Sequence, residues 1–232
     1  MHFDNIRFIL TDIEGTTTSV SFVYESLFPY FRSNIAKLKG LTQLDEVENA
    51  FNEVIELAKN EGETISTVDE IIQKLEDWSK VDKKITPLKT LQGILWKEGY
   101  TSGLLKGHVY EDVAPNLKKW KLNGLDLGVF SSGSIAAQKL IFGYSESGDL
   151  TPYFSAYFDT TIGGKREVET YNKITKELKI SAEQILFLSD IREELEAAKE
   201  AGFQTIQLVR TGTEKNWDAT ASSFSEIEIN EL

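Results

Sequence analysis

The sequence predicts a doubly wound α/β core, a parallel sheet with helices on both faces, carrying an inserted helical cap domain. Three observations predict it. From His108 onward, short apolar β-rich runs alternate with helix-period segments, the signature of parallel strands joined by crossover helices. Between Ser21 and Tyr100 the apolar spacing is helical throughout and no strand signal interrupts it. Ahead of both, the run Ile6–Leu10 ends at Thr11-Asp12 and meets Gly15 and three threonines, as a buried strand and its loop would. The expected division is 1–19 with 108–232 for the core and 20–107 for the cap.

Each element has its own signal. In the helical block, Leu44, Val47, Phe51, Val54, Ile55 and Ala58 share one face, with Thr42 as the expected N-cap. Val68, Ile71, Ile72, Leu75 and Trp78 repeat the pattern after Thr67, and Glu70 completes a capping-box signature. Thr86-Pro87 opens a third helix, with proline expected at its first position and Leu88, Leu91 and Leu95 on one face. In the core, helix is expected over Pro115–Leu122, Ile135–Phe142, Glu167–Leu178 and Glu193–Ala201. Strand is expected over Leu125–Phe130, Phe154–Phe158, Ile185–Leu188 and Thr205–Val209, and the polar tail should place Trp217 and Phe224 against the core. Trp78, Trp96 and Trp120 read as core residues, and His108 as a hinge or packing residue. The acid-rich run Glu193-Glu194-Leu195-Glu196 reads as a solvated helix face, with Glu196 toward Lys199 or Glu200.

Composition narrows the chemistry. The 232 residues hold 25 basic and 37 acidic side chains, a net charge of −12, which argues against a nucleic-acid partner. A hydrophobic content of 41% supports a real core and argues against disorder. The absence of cysteine removes disulfides, thiolate catalysis, Fe–S clusters and cysteine zinc sites. With only His2 and His108, a histidine metal site or a Ser-His-Asp triad has almost nothing to work with. Carboxylates, hydroxyls, lysines and a hard metal are left. The longest uncharged stretch, Leu127–Gln138, falls short of the ~18 apolar residues of a membrane span. The start, Met1-His2-Phe3-Asp4-Asn5, has no signal layout, so a cytoplasmic protein away from membranes is expected, or a nuclear one in a eukaryote; a monomer is expected as well.

In open parallel sheets, ligands sit beyond the carboxyl ends of the strands at the switch point. The groups expected there are Asp12 and Glu14, Ser131 and Ser132, Lys165 and Asp190. Each alone has a plainer reading. Asp12 to Thr16 is also a polar strand end with a turn, Ser131 to Ser134 also an N-cap cluster, Lys165 also a surface lysine, and Asp190 also a helix cap. Their order and placement carry the signal. Converging acids call for a cation, and a lysine with hydroxyl or N–H donors suits a metal-bridged phosphate.

Asp12-Ile13-Glu14-Gly15-Thr16, Ser131-Ser132, Lys165 and Asp190 resemble the four ordered motifs of the haloacid dehalogenase-like superfamily. Glu14 stands where most members have aspartate. With Thr11–Thr17, Ser21-Phe22-Val23, Leu27-Phe28-Pro29-Tyr30, Phe158–Gly163 and Phe187-Leu188-Ser189-Asp190, the strings are similar to the enolase-phosphatase family of methionine salvage. Two places differ from that family's habit: Thr170 before Tyr171, and Thr211-Gly212-Thr213 after Arg210.

The resemblance implies a small-molecule substrate, 2,3-diketo-5-methylthiopentyl-1-phosphate, enolised and then dephosphorylated to the acireductone 1,2-dihydroxy-3-keto-5-methylthiopentene. It implies one Mg²⁺ per chain, bound by Asp12, Glu14 and Asp190. Asp12 is then the nucleophile and Glu14 the acid–base group, its backbone carbonyl being one route to the metal that leaves the carboxyl free. Ser131, Ser132 and Lys165 bind the phosphate, and the cap, through Phe22, Val23 and Tyr24, covers the methylthio end. Two other readings compete: a general phosphatase or mutase of the superfamily, and a phospho-accepting receiver module. The strings around Glu14 disfavour the first, and the helical insertion disfavours the second.

Overall fold

In the computed structural model, which describes residues 1–230, the chain falls into two units, Ser21–Leu105 and Met1–Val20 with the residues from Lys106 onward. The first unit is helical. α1 (Val20–Phe22), which begins at the last residue before this unit, leads into a π-helical turn, Val23–Leu27, in which the Phe28 N–H reaches back to the Val23 carbonyl. Pro29 explains the widened turn: it has no N–H to offer the Glu25 carbonyl and its ring crowds that carbonyl. α2 (Phe28–Asn34) and a 3-10 stretch, Ile35–Leu41, follow. α3 (Asp45–Asn60), α4 (Val68–Lys80) and α5 (Thr86–Thr101) complete the unit. Phe31, Leu38, Val47, Val54, Leu75, Leu91 and Leu95 form its solvent-free centre.

Helix entry there is set by side chains in one case and by turns in the others. The Thr67 hydroxyl accepts from Glu70 N–H at 3.3 Å and the Glu70 carboxylate accepts from Thr67 N–H at 2.9 Å, a complete capping box. The expectation for Thr42 is corrected. The chain turns after Leu41, with the Leu44 N–H on the Leu41 carbonyl at 3.0 Å, so Leu44 takes the N-cap of α3 without a side-chain bond. Asp45, Glu46 and Glu48 in the first turn offset this through the helix dipole. Pro87 is the second residue of α5, not the first.

The second unit holds all the strands of the described residues: β1 (His2–Phe3), β2 (Phe8–Thr11), β3 (Asp126–Phe130), β4 (Ala156–Phe158), β5 (Ile185–Ser189), β6 (Gln204–Leu208), β7 (Thr220–Ala221) and β8 (Glu228–Ile229). Six of them form a parallel sheet in the order β4-β3-β2-β5-β6-β7. β1 and β8 pair separately, tying the two ends of the chain together. The helices α6 (Val113–Leu122), α7 (Ile135–Gly143), α8 (Val168–Leu178) and α9 (Arg192–Glu200) alternate with the strands. β2 and β5 are buried along their whole length, which is why they read as continuous apolar runs rather than alternating ones.

β3 lies on one side of β2 and β5 on the other, so the winding reverses at β2. Thr11 is level with Val129 and Leu188, and this register brings the residues after all three strands to one edge. Trp78, Trp96 and Trp120 are buried as expected, Phe224 is fully buried and Trp217 packs at the core margin under Lys199. Half-buried His108 stacks edge-on against Tyr110, and its Nδ1 accepts the Ser19 N–H at 3.3 Å and lies 2.9 Å from the Thr18 hydroxyl. No helix of the described residues is long and apolar enough to cross a membrane.

Candidate active site

Asp12 follows the last residue of β2 and is 3% exposed; its N–H continues the ladder onto the Leu188 carbonyl at 2.9 Å. The chain then turns tightly. The N–H groups of Thr16, Thr17 and Thr18 all point at the Ile13 carbonyl, 2.9–3.2 Å away, and Gly15 N–H donates to the Thr18 carbonyl at 2.8 Å. Gly15 has φ +77°, and a Cβ there would lie 2.2 Å from Asp190 Oδ2, so only glycine lets the loop seat against Asp190. Glu14 leaves this loop toward the end of β3, where the Ser131 hydroxyl donates to its carboxylate at 3.1 Å.

Ser131 is fully buried and also accepts the Gly133 N–H at 3.0 Å, while half-buried Ser132 follows in the same turn. Ser134 caps α7 through Ala137 N–H, as an N-cap cluster would. Two residues that sequence reasoning passed over hold this turn. Gln138 donates to the Gly133 and Phe158 carbonyls, both at 2.8 Å, and the Asp159 carboxylate accepts the Ile135 N–H at 3.2 Å.

Lys165 is not a surface lysine. It is 8% exposed, and its ammonium bonds Asp12 Oδ1 at 2.6 Å and Glu194 Oε2 at 2.7 Å. Gly163 makes that reach available: at φ +150° its Cα abuts Thr170, whose hydroxyl a Cβ would meet at 2.1 Å. Tyr171 fixes the backbone from below, its hydroxyl donating to the Lys165 carbonyl at 2.6 Å.

Glu194 corrects the reading of its run as a solvated face. It is 7% exposed and accepts from the Ser189 hydroxyl at 2.9 Å as well as from Lys165. The signal was present, because Glu194 shares its helix face with Ala197 and Ala198 at i+3 and i+4. Glu196 pairs back to Arg192, not forward, and Lys199 covers Trp217 instead.

The electrostatics follow from four carboxylates, Asp12, Glu14, Asp190 and Glu194, gathered about one ammonium. Burial pushes the Asp12 carboxyl well above its usual range; Lys165 opposes this, while Glu194, Glu14 and Asp190 add to it. Burial likewise raises Asp190 to about 6. For Lys165 burial works against the charge, but Asp12 and Glu194 outweigh it and hold the ammonium protonated. Asp190 Oδ1 is buried with no hydrogen-bond partner in the chain. Among the described residues no three His, Asp or Glu side chains form a metal cage by themselves.

A family model described as haloacid dehalogenase-like hydrolase matches residues 6–202. The enolase-phosphatase E1 of Picosynechococcus sp. is 50% identical over 208 residues, which cover 90% of this chain and 91% of that one. That of Hahella chejuensis is 48% identical over 237 residues, covering 98% and 97%. Among solved structures, the UTR4 protein of Saccharomyces cerevisiae is similar at a TM-score of 0.76 and 31% identity, covering 97% of each chain.

Proposed function

The chain belongs to the enolase-phosphatases within the haloacid dehalogenase-like hydrolases, and we propose that its two reactions run at the ends of β2, β3 and β5. The enzyme is a phosphoric monoester hydrolase of methionine salvage that forms the acireductone from 2,3-diketo-5-methylthiopentyl-1-phosphate. The observation that carries the site assignment is Lys165, buried between Asp12 and Glu194 at the switch point of the sheet.

Mg²⁺ fits this crevice, because its acids outnumber its one ammonium and Asp190 Oδ1 is buried without a partner. The Asp12 and Asp190 carboxylates and the Glu14 backbone carbonyl would hold the ion, a set short enough to leave it several waters. When bound, the ion supplies positive charge against the phosphate oxygens and the surrounding acids.

The protein groups divide the remaining work. Ser131 and Ser132 receive the phosphate, and Lys165 balances its charge. Lys165 holds one oxygen of Asp12 and the other attacks phosphorus, so the ester P–O bond breaks as the aspartyl-phosphate forms. The Glu14 carboxyl, oriented by Ser131, protonates the departing oxygen and later takes a proton from the water that opens the aspartyl-phosphate. Enolisation precedes these steps. It needs a base at the carbon and a positive group at the developing enolate oxygen, not a phosphoryl acceptor.

Asp12→Asn separates the two. With the diketo phosphate and Mg²⁺, the variant is expected to accumulate an ultraviolet-absorbing enol phosphate while phosphate release stops. Phosphate release at the wild-type rate would end the aspartyl-phosphate mechanism for this chain.

A further inference from the structure

Arg210 lies two residues beyond β6, in a region whose sequence offers no catalytic motif, yet it is 8% exposed. Its guanidinium forks onto Asp112, with bonds of 3.0 and 2.9 Å to the two carboxylate oxygens. A further N–H goes to the Ser222 carbonyl at 2.9 Å, and Nε–H goes to the Thr16 carbonyl at 3.1 Å. Four of its five N–H groups are thereby engaged, and the plane is fixed by Tyr110 at 4.2 Å and Phe224 at 5.5 Å. Asp112 also accepts the Phe224 N–H at 2.6 Å. The ion pair of buried Arg210 with half-buried Asp112 thus joins the chain segment before α6, the tail at Ser222–Phe224 and the loop that carries Glu14.

The loop contact has a consequence. Thr16 is two residues from Glu14, and Gly15 between them rests against Asp190 with no space for even a methyl group. The loop is therefore trapped between Asp190 on one side and two pins on the other: Arg210 on the Thr16 carbonyl and the Tyr110 N–H on the Thr17 carbonyl at 3.0 Å. Close packing of this kind passes a displacement on rather than absorbing it. Release of the Thr16 carbonyl would move the Glu14 carboxyl relative to Ser131, where proton transfer needs hydrogen-bond distances.

We propose that Arg210, locked by Asp112, is a positioning residue that sets the Asp12–Thr18 loop, and through it Glu14, for catalysis. The inference rests on the functional reading above, in which Glu14 transfers protons. It makes the C-terminal segment part of the catalytic machinery through a single side chain.

The test compares wild type with Arg210→Lys, which keeps the charge and most of the stem but cannot make the fork and the Thr16 bond together. Phosphate release from the diketo phosphate is measured below the melting temperature of both proteins. The expected result is a kcat lower by about 10- to 100-fold, the scale of a misplaced catalytic group, with KM changed less than about threefold. Amide hydrogen exchange is followed in parallel. The amides of residues 15–18 should exchange faster in the variant, with α8 protected as in wild type. Should Arg210→Lys fail to fold, Asp112→Asn, which keeps the arginine and loosens its lock, is put through the same two measurements. A kcat within twofold of wild type, or unchanged exchange in residues 15–18, would overturn the proposal and leave a purely structural ion pair. The exchange comparison needs no substrate. A wild-type protein that released no phosphate would therefore count against the functional reading, while the positioning claim would still be decided by exchange.

Discussion

Glu194 shows how much one buried acid decides. A carboxylate at 7% exposure is costly unless paired, and Lys165 and Ser189 pair it. In return it gives the Lys165 ammonium a second carboxylate partner beside Asp12. Glu194→Gln keeps the size and an oxygen for both the Ser189 hydroxyl and the Lys165 ammonium but removes the negative charge, a contribution of about 1.5–3 kcal/mol. The expected outcome is phosphate release slowed about 10- to 100-fold in a protein whose circular dichroism matches wild type. An unchanged rate would mean that Asp12 alone orients the lysine. The two glycines act at the same scale by omission: Gly15 and Gly163 let backbone approach Asp190 and Thr170 where any Cβ would collide.

At the scale of elements, local signals served best where the local sequence is also what closes the hydrogen bonds. α4 begins where Thr67 and Glu70 say it should, because the capping box satisfies two otherwise orphaned N–H groups with nearby side chains. Thr67→Ala should cost about 1 kcal/mol, read as a melting temperature lower by about 2–4 °C. No change would show that packing of the apolar face sets this helix end by itself. α3 takes its N-cap two residues after the threonine expected to cap it, since the 3-10 stretch and its turn consume Thr42. The short strands β1, β7 and β8 have no signal of their own. Two residues carry too little periodicity, and β1 pairs with β8 only once folding brings the ends of the chain together.

For the molecule as a whole, the Arg210–Asp112 pair links distant segments of the α/β unit, so it belongs to the energetics of global unfolding. Burial disfavours the Asp112 charge, but the Arg210 fork and the Phe224 N–H outweigh that and hold its carboxyl below the usual carboxylate range. A depressed native pKa adds stability that is fully present above the unfolded value of about 3.9 and is lost as pH falls through the native one. Asp112→Asn should therefore be less stable than wild type at neutral pH by about 1.5–3 kcal/mol, the contribution of hydrogen bonds to a charged group. That gap should begin to narrow as pH drops below about 4, where the unfolded carboxyl takes up its proton, and close only below the depressed native value, where the folded carboxyl is protonated too. Urea unfolding of both proteins from pH 7 to 3 measures it. A gap independent of pH would show that the Asp112 charge is not what the pair contributes.

The sequence by itself determined the α/β class, the helical block and the enolase-phosphatase family, and it named Asp12, Glu14, Ser131, Ser132, Lys165 and Asp190 as the candidate site. Apolar periodicity is a local property, and a phosphate site built at strand ends leaves its polar residues at the ends of apolar runs. Only the tertiary structure decided that Lys165 is buried between two acids, that Glu194 turns inward and that Arg210 pins the Thr16 carbonyl. Charge and polarity look alike in sequence whether a side chain faces water or a partner. The partner in each of these cases lies 29 to 194 positions away, as from Lys165 to Glu194 and from Arg210 to Thr16. Such contacts exist only after the sheet has set its register, and burial then turns an ordinary acid or base into one that must be paired.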